Sequence, residues 1–269
     1  MIITLLVHTL VFALILLVLV TAVFFIAQIK RDNSIMDIAY GPLFFLAATG
    51  TLFFTAGVSA TAFLITGLTG LWSIRLALRI YRKNKGKAED ARYAAWRAAW
   101  MKQGLGYFRW RSYLQINLLQ GIIILLVSLP FIIATTSSVL SYNLYFVYAG
   151  LLVYAFGLGY EALADHQLDV FLRNKKSGKT TEPLMKTGLF HFSRRPNYFG
   201  ETLIWWGLAI IALPLPFGFL GLISPIIITY IVTKVTGPML ENIFLEKYPD
   251  EYRAYMSTTN YFIPGPKKR

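Results

Sequence analysis

The chain contains no cysteine, only three histidines, and only 13 acidic residues against 26 basic ones. Without cysteine there are no disulfides, thiolate nucleophiles or thiolate metal centres. His8, His166 and His191 are too few and too scattered to form a ligand triad, so no metal site is expected. No Gly-x-Gly-x-x-Gly or Walker loop is present, which removes the soluble-protein routes to a nucleotide. No serine stands in a nucleophile-elbow pattern. Charge of either sign is scarce as well: 14% of residues carry it, against about 25% in soluble domains.

What is present is apolar. Hydrophobic residues make up 56% of the 269 positions and aromatics 16%. Charge-free runs cover 1–29, 38–74, 112–160 and 202–233, and a hydrocarbon core about 30 Å thick needs roughly 20 apolar residues per crossing. The pattern predicts an all-α integral membrane protein of about seven transmembrane helices, forming one membrane-embedded domain over 1–269. Crossings are expected at 5–29, 34–55, 60–80, 114–134 and 144–164, then at 202–213 and 217–236 around Pro214-Leu215-Pro216. Ser34 is the expected N-cap of the second. Segment 82–111, basic and aromatic, reads as an interfacial amphipathic helix. Residues 135–143 read as a polar turn and 241–262 as an amphipathic tail. The apolar N-terminus has no basic n-region and outruns a signal h-region, so it reads as a retained helix.

The net charge of +13 fits orientation in a membrane and contact with anionic lipid rather than nucleic acid, since no aromatic-interleaved RNA motif accompanies it. Every Lys and Arg falls in 30–31, 75–79, 82–111, 166–200 or 234–269, and the connections near 57, 135–143 and 214–216 carry none. The positive-inside rule then places the N-terminus outside and the C-terminus in the cytoplasm. The thirteen acids lie on that same side, so a polar ligand is expected at a cytosol-facing site.

The densest polar stretch is 187–201, where Arg194, Arg195, Asn197, Tyr198 and Glu201 surround Pro196 and Gly200 just before an apolar run. Glu161, Asp165 and Asp169 recur at i, i+4 and i+8 on one helical face. Asp169 reads as a salt-bridge partner. Glu161 and Asp165 reach toward charge-free sequence, where an ionisable group is either a functional site, for ribose hydroxyls, amides or a metal, or a salt-bridge partner of a nearby Lys or Arg. Asp37 is either an interfacial residue paired with Arg31 or Arg75, or a proton donor. Arg75 and Arg79, one turn apart, either snorkel or form a phosphate fork.

Ser193-Arg194-Arg195-Pro196-Asn197-Tyr198-Phe199-Gly200-Glu201, with Ser34-Ile35-Met36-Asp37-Ile38-Ala39-Tyr40-Gly41, Trp72-Ser73-Ile74-Arg75, Glu89-Asp90-Ala91-Arg92-Tyr93 and Asp165-His166-Gln167, resembles the membrane steroid 5-alpha-reductase superfamily, in its bacterial branch called DUF1295. The ending, Glu246-Lys247-Tyr248-Pro249 through Phe262-Ile263-Pro264, carries the same resemblance, which spans most of the chain. It implies a seven-helix enzyme of the bacterial inner membrane that moves hydride from NADPH to the beta carbon of a lipid or steroid-like enone. By motif, Asn197 and Glu201, with Tyr198 between them, match residues holding the nicotinamide end, and Asp165, with Glu161 one turn before it, matches an Asp near ribose and phosphates. Asp37 falls where the family has a carbonyl-polarising Glu, and Arg75 follows the catalytic position. Arg173, Lys179 and Arg195 are expected to meet the cofactor's phosphates.

The chain departs from that pattern at Trp72, which stands where the steroid enzymes have a phenolic proton donor. An indole N–H donates a hydrogen bond but no useful proton, so the acid falls to Asp37, Tyr40 or a water. A second resemblance, through Arg-x-Pro-x-Tyr-x-Gly and the acidic aromatic tail, is to isoprenylcysteine and phospholipid methyltransferases, which use S-adenosylmethionine. A third reading is a non-catalytic lipid-binding membrane protein.

Overall fold

The computed structural model describes residues 1–55, 57–137 and 143–267; most of the expected 135–143 turn and the final Lys268-Arg269 lie outside them. The described residues are helical and contain no strand. Two compact units emerge, Met1–Asn143 with Ala212–Ile223, and Leu144–Ile211 with Ser224–Arg269.

In the first unit, α1 (Ile2–Lys30), α2 (Ile35–Phe53) and α3 (Ala60–Asn84) pack side by side. α1 is apolar all round and buries only Phe12, Leu16, Val20 and Ala27, leaving Leu6, Leu10, Leu14 and Val18 exposed. Such a helix needs hydrocarbon around it. It stops at Arg31, a left-handed cap with φ 54°. Ser34 does sit at the N-cap of α2, but its hydroxyl does no capping and instead accepts the backbone N–H of Asp90 at 2.8 Å. Ser59 caps α3, accepting from the N–H of Ala62 at 3.2 Å. α2 and α3 come close where a Cβ on Gly41 would lie 3.1 Å from the carbonyl oxygen of Ser73.

The expected interfacial helix over 82–111 is divided. α3 runs on to Asn84, a short α4 spans Ala91–Met101 with Asp90 as its cap, and Gly104 at φ +101° turns the chain into α5 (Leu105–Val127). Gly104 breaks the segment because only glycine takes that backbone without strain. The fourth crossing thus begins nine residues before position 114. A π-turn at Tyr113–Leu118 interrupts α5, and a short α6 (Leu129–Thr136) follows with Pro130 in its first turn, the position proline tolerates.

In the second unit, α7 (Leu144–Lys176) outruns its expected end by twelve residues and α8 spans Pro196–Ala212. α9, counted from Gly218 to Lys247 and belonging to this unit from Ser224 on, contains a π-turn at Ile231–Thr236, and α10 spans Pro249–Thr258. A π-turn frees backbone carbonyls, and the Tyr261 hydroxyl lies 3.3 Å from the carbonyl oxygen of Val232 and 3.0 Å from that of Thr233.

Among the described residues six helices are long and apolar enough to cross a membrane: α1, α2, α3, α5, α7 and α9. The chain is therefore a multi-pass membrane protein by the length and composition of its helices. The remaining expected crossing, α8, has 17 residues, about 25 Å at 1.5 Å per residue.

Candidate functional site

In the first unit, α2 sets Asp37, Tyr40 and Phe44 at i, i+3 and i+7, one face of the helix. Tyr40 meets Phe44 edge-on with ring centroids 5.2 Å apart, and Phe44 meets Trp72 of α3 edge-on at 5.6 Å. Trp72 is almost wholly buried. Tyr40 and Trp72, two of the expected catalytic residues, are thus linked through one aromatic ring, and Arg75 lies one turn beyond Trp72 on α3.

Asp37 has partners that the sequence reading did not name. Its Oδ1 accepts the Tyr93 hydroxyl at 2.5 Å, and its Oδ2 accepts Arg92 Nη2 at 3.1 Å. Two donors on two oxygens suit the ionised carboxylate. Burial, then the adjacent Asp37 charge, pushes the Tyr93 phenol above its usual range, so Tyr93 donates as a neutral phenol. The loop before α4 is fastened to the start of α2 by further bonds. Glu89 takes Arg97 in a two-pronged pair at 2.8 and 2.9 Å and accepts the backbone N–H of Asn33 at 2.7 Å. Asp90 takes Arg92 Nε at 2.9 Å, which holds the Asp90 carboxyl below its usual range against its own burial. The Glu89-Asp90-Ala91-Arg92-Tyr93 motif is thus a clasp that orients Asp37.

In the second unit, α7 and α8 touch through glycines spaced seven apart on each helix. A Cβ on Gly207 would lie 2.7 Å from the carbonyl oxygen of Gly150, and a Cβ on Gly200 would lie 2.6 Å from Glu161 N and 2.7 Å from Glu161 Cβ. Small residues allow this approach of backbones. The seam sets Glu161 against the first turns of α8, which carry Asn197, Tyr198 and Glu201. Glu161 and Asp165 are buried, while Asp169, next on the stripe, is exposed. Burial thus divides the stripe between Asp165 and Asp169.

The paired arginines have opposite surroundings. Arg194 is buried, forms a 2.7 Å ion pair with Glu241 and donates to the carbonyls of Met256 at 3.2 Å and Thr259 at 2.6 Å. It ties the loop before α8 to α9 and to the end of α10. Arg195 has buried Nε and Nη2 atoms with no hydrogen-bond partner among the described residues, and its guanidinium lies over the Phe244 ring at 5.3 Å. Arg195 lines a cavity of about 370 Å³ together with Lys175, Lys247 and Tyr248. Arg173 and Lys179, its expected companions, are exposed and do not line this cavity. Lys175 escaped the sequence reading because only the register of the lengthened α7 separates it from Arg173. Beside it, a shallower cavity of about 450 Å³ is lined by His166, Gln167, Asn174, Thr187 and Gly188.

An uncharacterised protein of Schizosaccharomyces pombe, C594.04c, is 30% identical to this chain over 264 residues, covering 88% of the chain and 72% of the yeast protein. No solved structure matches. Residues 23–259 match the family described as protein of unknown function DUF1295, so the clasp around Asp37 and the glycine seam of α7 and α8 both lie inside the matched region, and the chain belongs to that family.

Proposed function

We propose that this protein is a membrane reductase of the steroid 5-alpha-reductase type, using NADPH to saturate the carbon–carbon double bond of a lipid or steroid-like enone, with α8 as a seventh span and the N-terminus outside. The observation that carries this reading is the α7–α8 seam, where buried Glu161 and Asp165 adjoin the turns bearing Asn197, Tyr198 and Glu201. Acids inside a spanning helix are costly unless they serve a polar ligand or partner. Carboxylates that accept hydroxyl protons, with an amide that both donates and accepts, suit a ribose and a carboxamide.

In this reading the cofactor supplies hydride to the beta carbon. Asn197 and Glu201 hold its carboxamide end, and Asp165 and Glu161 take ribose hydroxyls. The enolate formed by hydride arrival takes its proton from Asp37 when that carboxyl is protonated, from Tyr40 or from a water, through a hydrogen bond to its oxygen. Apolar helix walls exclude bulk water and strengthen that interaction.

Buried carboxylates would also suit the ammonium of S-adenosylmethionine, so binding by purified full-length protein in detergent is the decisive measurement. NADPH is expected to bind saturably and more tightly than NADH, with Asn197→Ala and Glu201→Ala each weakening it about tenfold, the loss of one or two hydrogen bonds to a charged or polar group. Binding of S-adenosylmethionine alone would sink the reductase reading.

A further inference from the structure

The cavity where α7 and α9 end leaves positive charge without an answering group. Four cations line it: Lys175, Arg194, Arg195 and Lys247. Arg194 is answered by Glu241. Arg195 is not, since Nε and Nη2 are buried and bond to nothing among the described residues. Lys175 Nζ is held at the wall by the Pro183 carbonyl at 2.8 Å and the Tyr248 hydroxyl at 3.2 Å, and Lys247 lies 5.4 Å from the centre of the Tyr248 ring. No acid is among the lining residues. Arg195, with Lys175 and the exposed Lys247 beside it in a mostly apolar cavity, calls for an anion, because burying guanidinium nitrogens without a partner is costly. The phenol of Tyr248 reports the same field: Lys175 first, with Lys247 behind it, holds it below its usual range.

The rest of the wall indicates what carries the anion. Leu168, Leu172 and Ile243 line one side, and Leu172 and Ile243 are exposed at its rim. Both helices that end here have the length and composition of membrane spans, and Tyr248 and Tyr252 of the lining are aromatics of the kind favoured where hydrocarbon gives way to headgroups. The volume of about 370 Å³ accommodates a headgroup and the first part of a chain. We propose that this cavity binds an anionic phospholipid, its phosphate against Arg195, Lys175 and Lys247 and an acyl chain leaving over Leu172 and Ile243. None of Glu161, Asp165, Asn197 or Glu201 lines it; Arg195 alone is shared with the residues expected at the cofactor's phosphates, so Lys247, which that reading does not use, separates the two.

The test uses delipidated full-length protein in detergent, titrated separately with phosphatidic acid, phosphatidylcholine of the same chains, and inorganic phosphate. Phosphatidic acid is expected to bind at least about tenfold more tightly than either, the margin of one or two charge-assisted contacts. Arg195→Gln and Lys247→Gln should each weaken it about tenfold; Lys247 is exposed, so its variant keeps the fold. Equal binding of phosphatidylcholine, phosphate binding as tightly as the lipid, or lipid affinity unchanged in both variants would overturn the proposal. If Lys247→Gln weakens NADPH while sparing phosphatidic acid, the cavity belongs to the cofactor instead.

Discussion

The clasp around Asp37 in the first unit and the cation cavity in the second both gather arginines and tyrosines, and they reach opposite states. In the clasp, Asp37, Glu89 and Asp90 accept from Tyr93, Arg92, Arg97 and backbone N–H groups. In the cavity, Arg194 uses its donors on Glu241 and two carbonyls, while the adjacent Arg195 keeps two buried nitrogens without a bond. Net charge does not separate a fastening from a ligand site; the count of satisfied donors does.

The contrast between Arg194 and Arg195 breaks most sharply under substitution. Arg194→Ala leaves the Glu241 carboxylate only its 3.2 Å bond from the Tyr252 hydroxyl and strands two carbonyls, so it should cost about 3–5 kcal/mol, the usual loss when a buried pair loses one member. Thermal unfolding in detergent would show it, and Arg195→Ala should cost far less on the same assay. A small loss at Arg194 would mean that the ion pair is not the fastening described. Next in size, Gly200→Ala should destabilise by about 1–3 kcal/mol through overpacking against Glu161, whereas Gly159→Ala, whose Cβ meets nothing within 4 Å, should be neutral or slightly stabilising. Equal effects at the two glycines would refute the seam.

Within the clasp, Tyr93→Phe removes one hydrogen bond to a carboxylate, worth about 1.5–3 kcal/mol. If Asp37 serves the enone oxygen, this variant and Asp37→Asn should both lower turnover while leaving NADPH affinity unchanged. Turnover that survives Asp37→Asn would remove Asp37 from the mechanism. The smallest effect is on pH. The Tyr93 and Tyr255 phenols are raised above the ordinary value of 10.0, chiefly by burial. Their contribution to stability is complete below that value and is lost as pH rises above it toward their folded values. Tyr248 is shifted the other way and should ionise before them. Spectrophotometric titration of wild type against Tyr248→Phe and Tyr255→Phe reads that order.

Much of the fold was legible. A hydrophobic run as long as 1–29 has no other use than a spanning helix, and Ser34 stands at the N-cap of α2 as expected, although its hydroxyl takes the Asp90 N–H instead of capping. Boundaries were less so: α5 starts at Leu105 because Gly104, not the basic residues after it, sets the break. Of the site, the stripe of Glu161 and Asp165 was visible from its spacing, and its burial follows from the helix length. The partner of Asp37 was not visible, because Tyr93 lies 56 residues away on a separate helix. Nor was the separation of Lys175 from Arg173, since a mobile-looking run of Lys, Gly and Thr reads as loop until α7 is seen to continue through it.

The amino-acid sequence alone determined the solvent: its apolar runs require a membrane, because hydration and hydrocarbon transfer depend on composition before any fold exists. Its glycines also fixed where backbones are able to approach. The tertiary structure decided which polar groups are spent and which remain. Arg194 and Arg195 are neighbours with the same side chain, and only the placement of Glu241, Met256 and Thr259 leaves one answered and the other open. A donor's availability is set by what lies within about 3 Å of it, and that distance is a property of the fold.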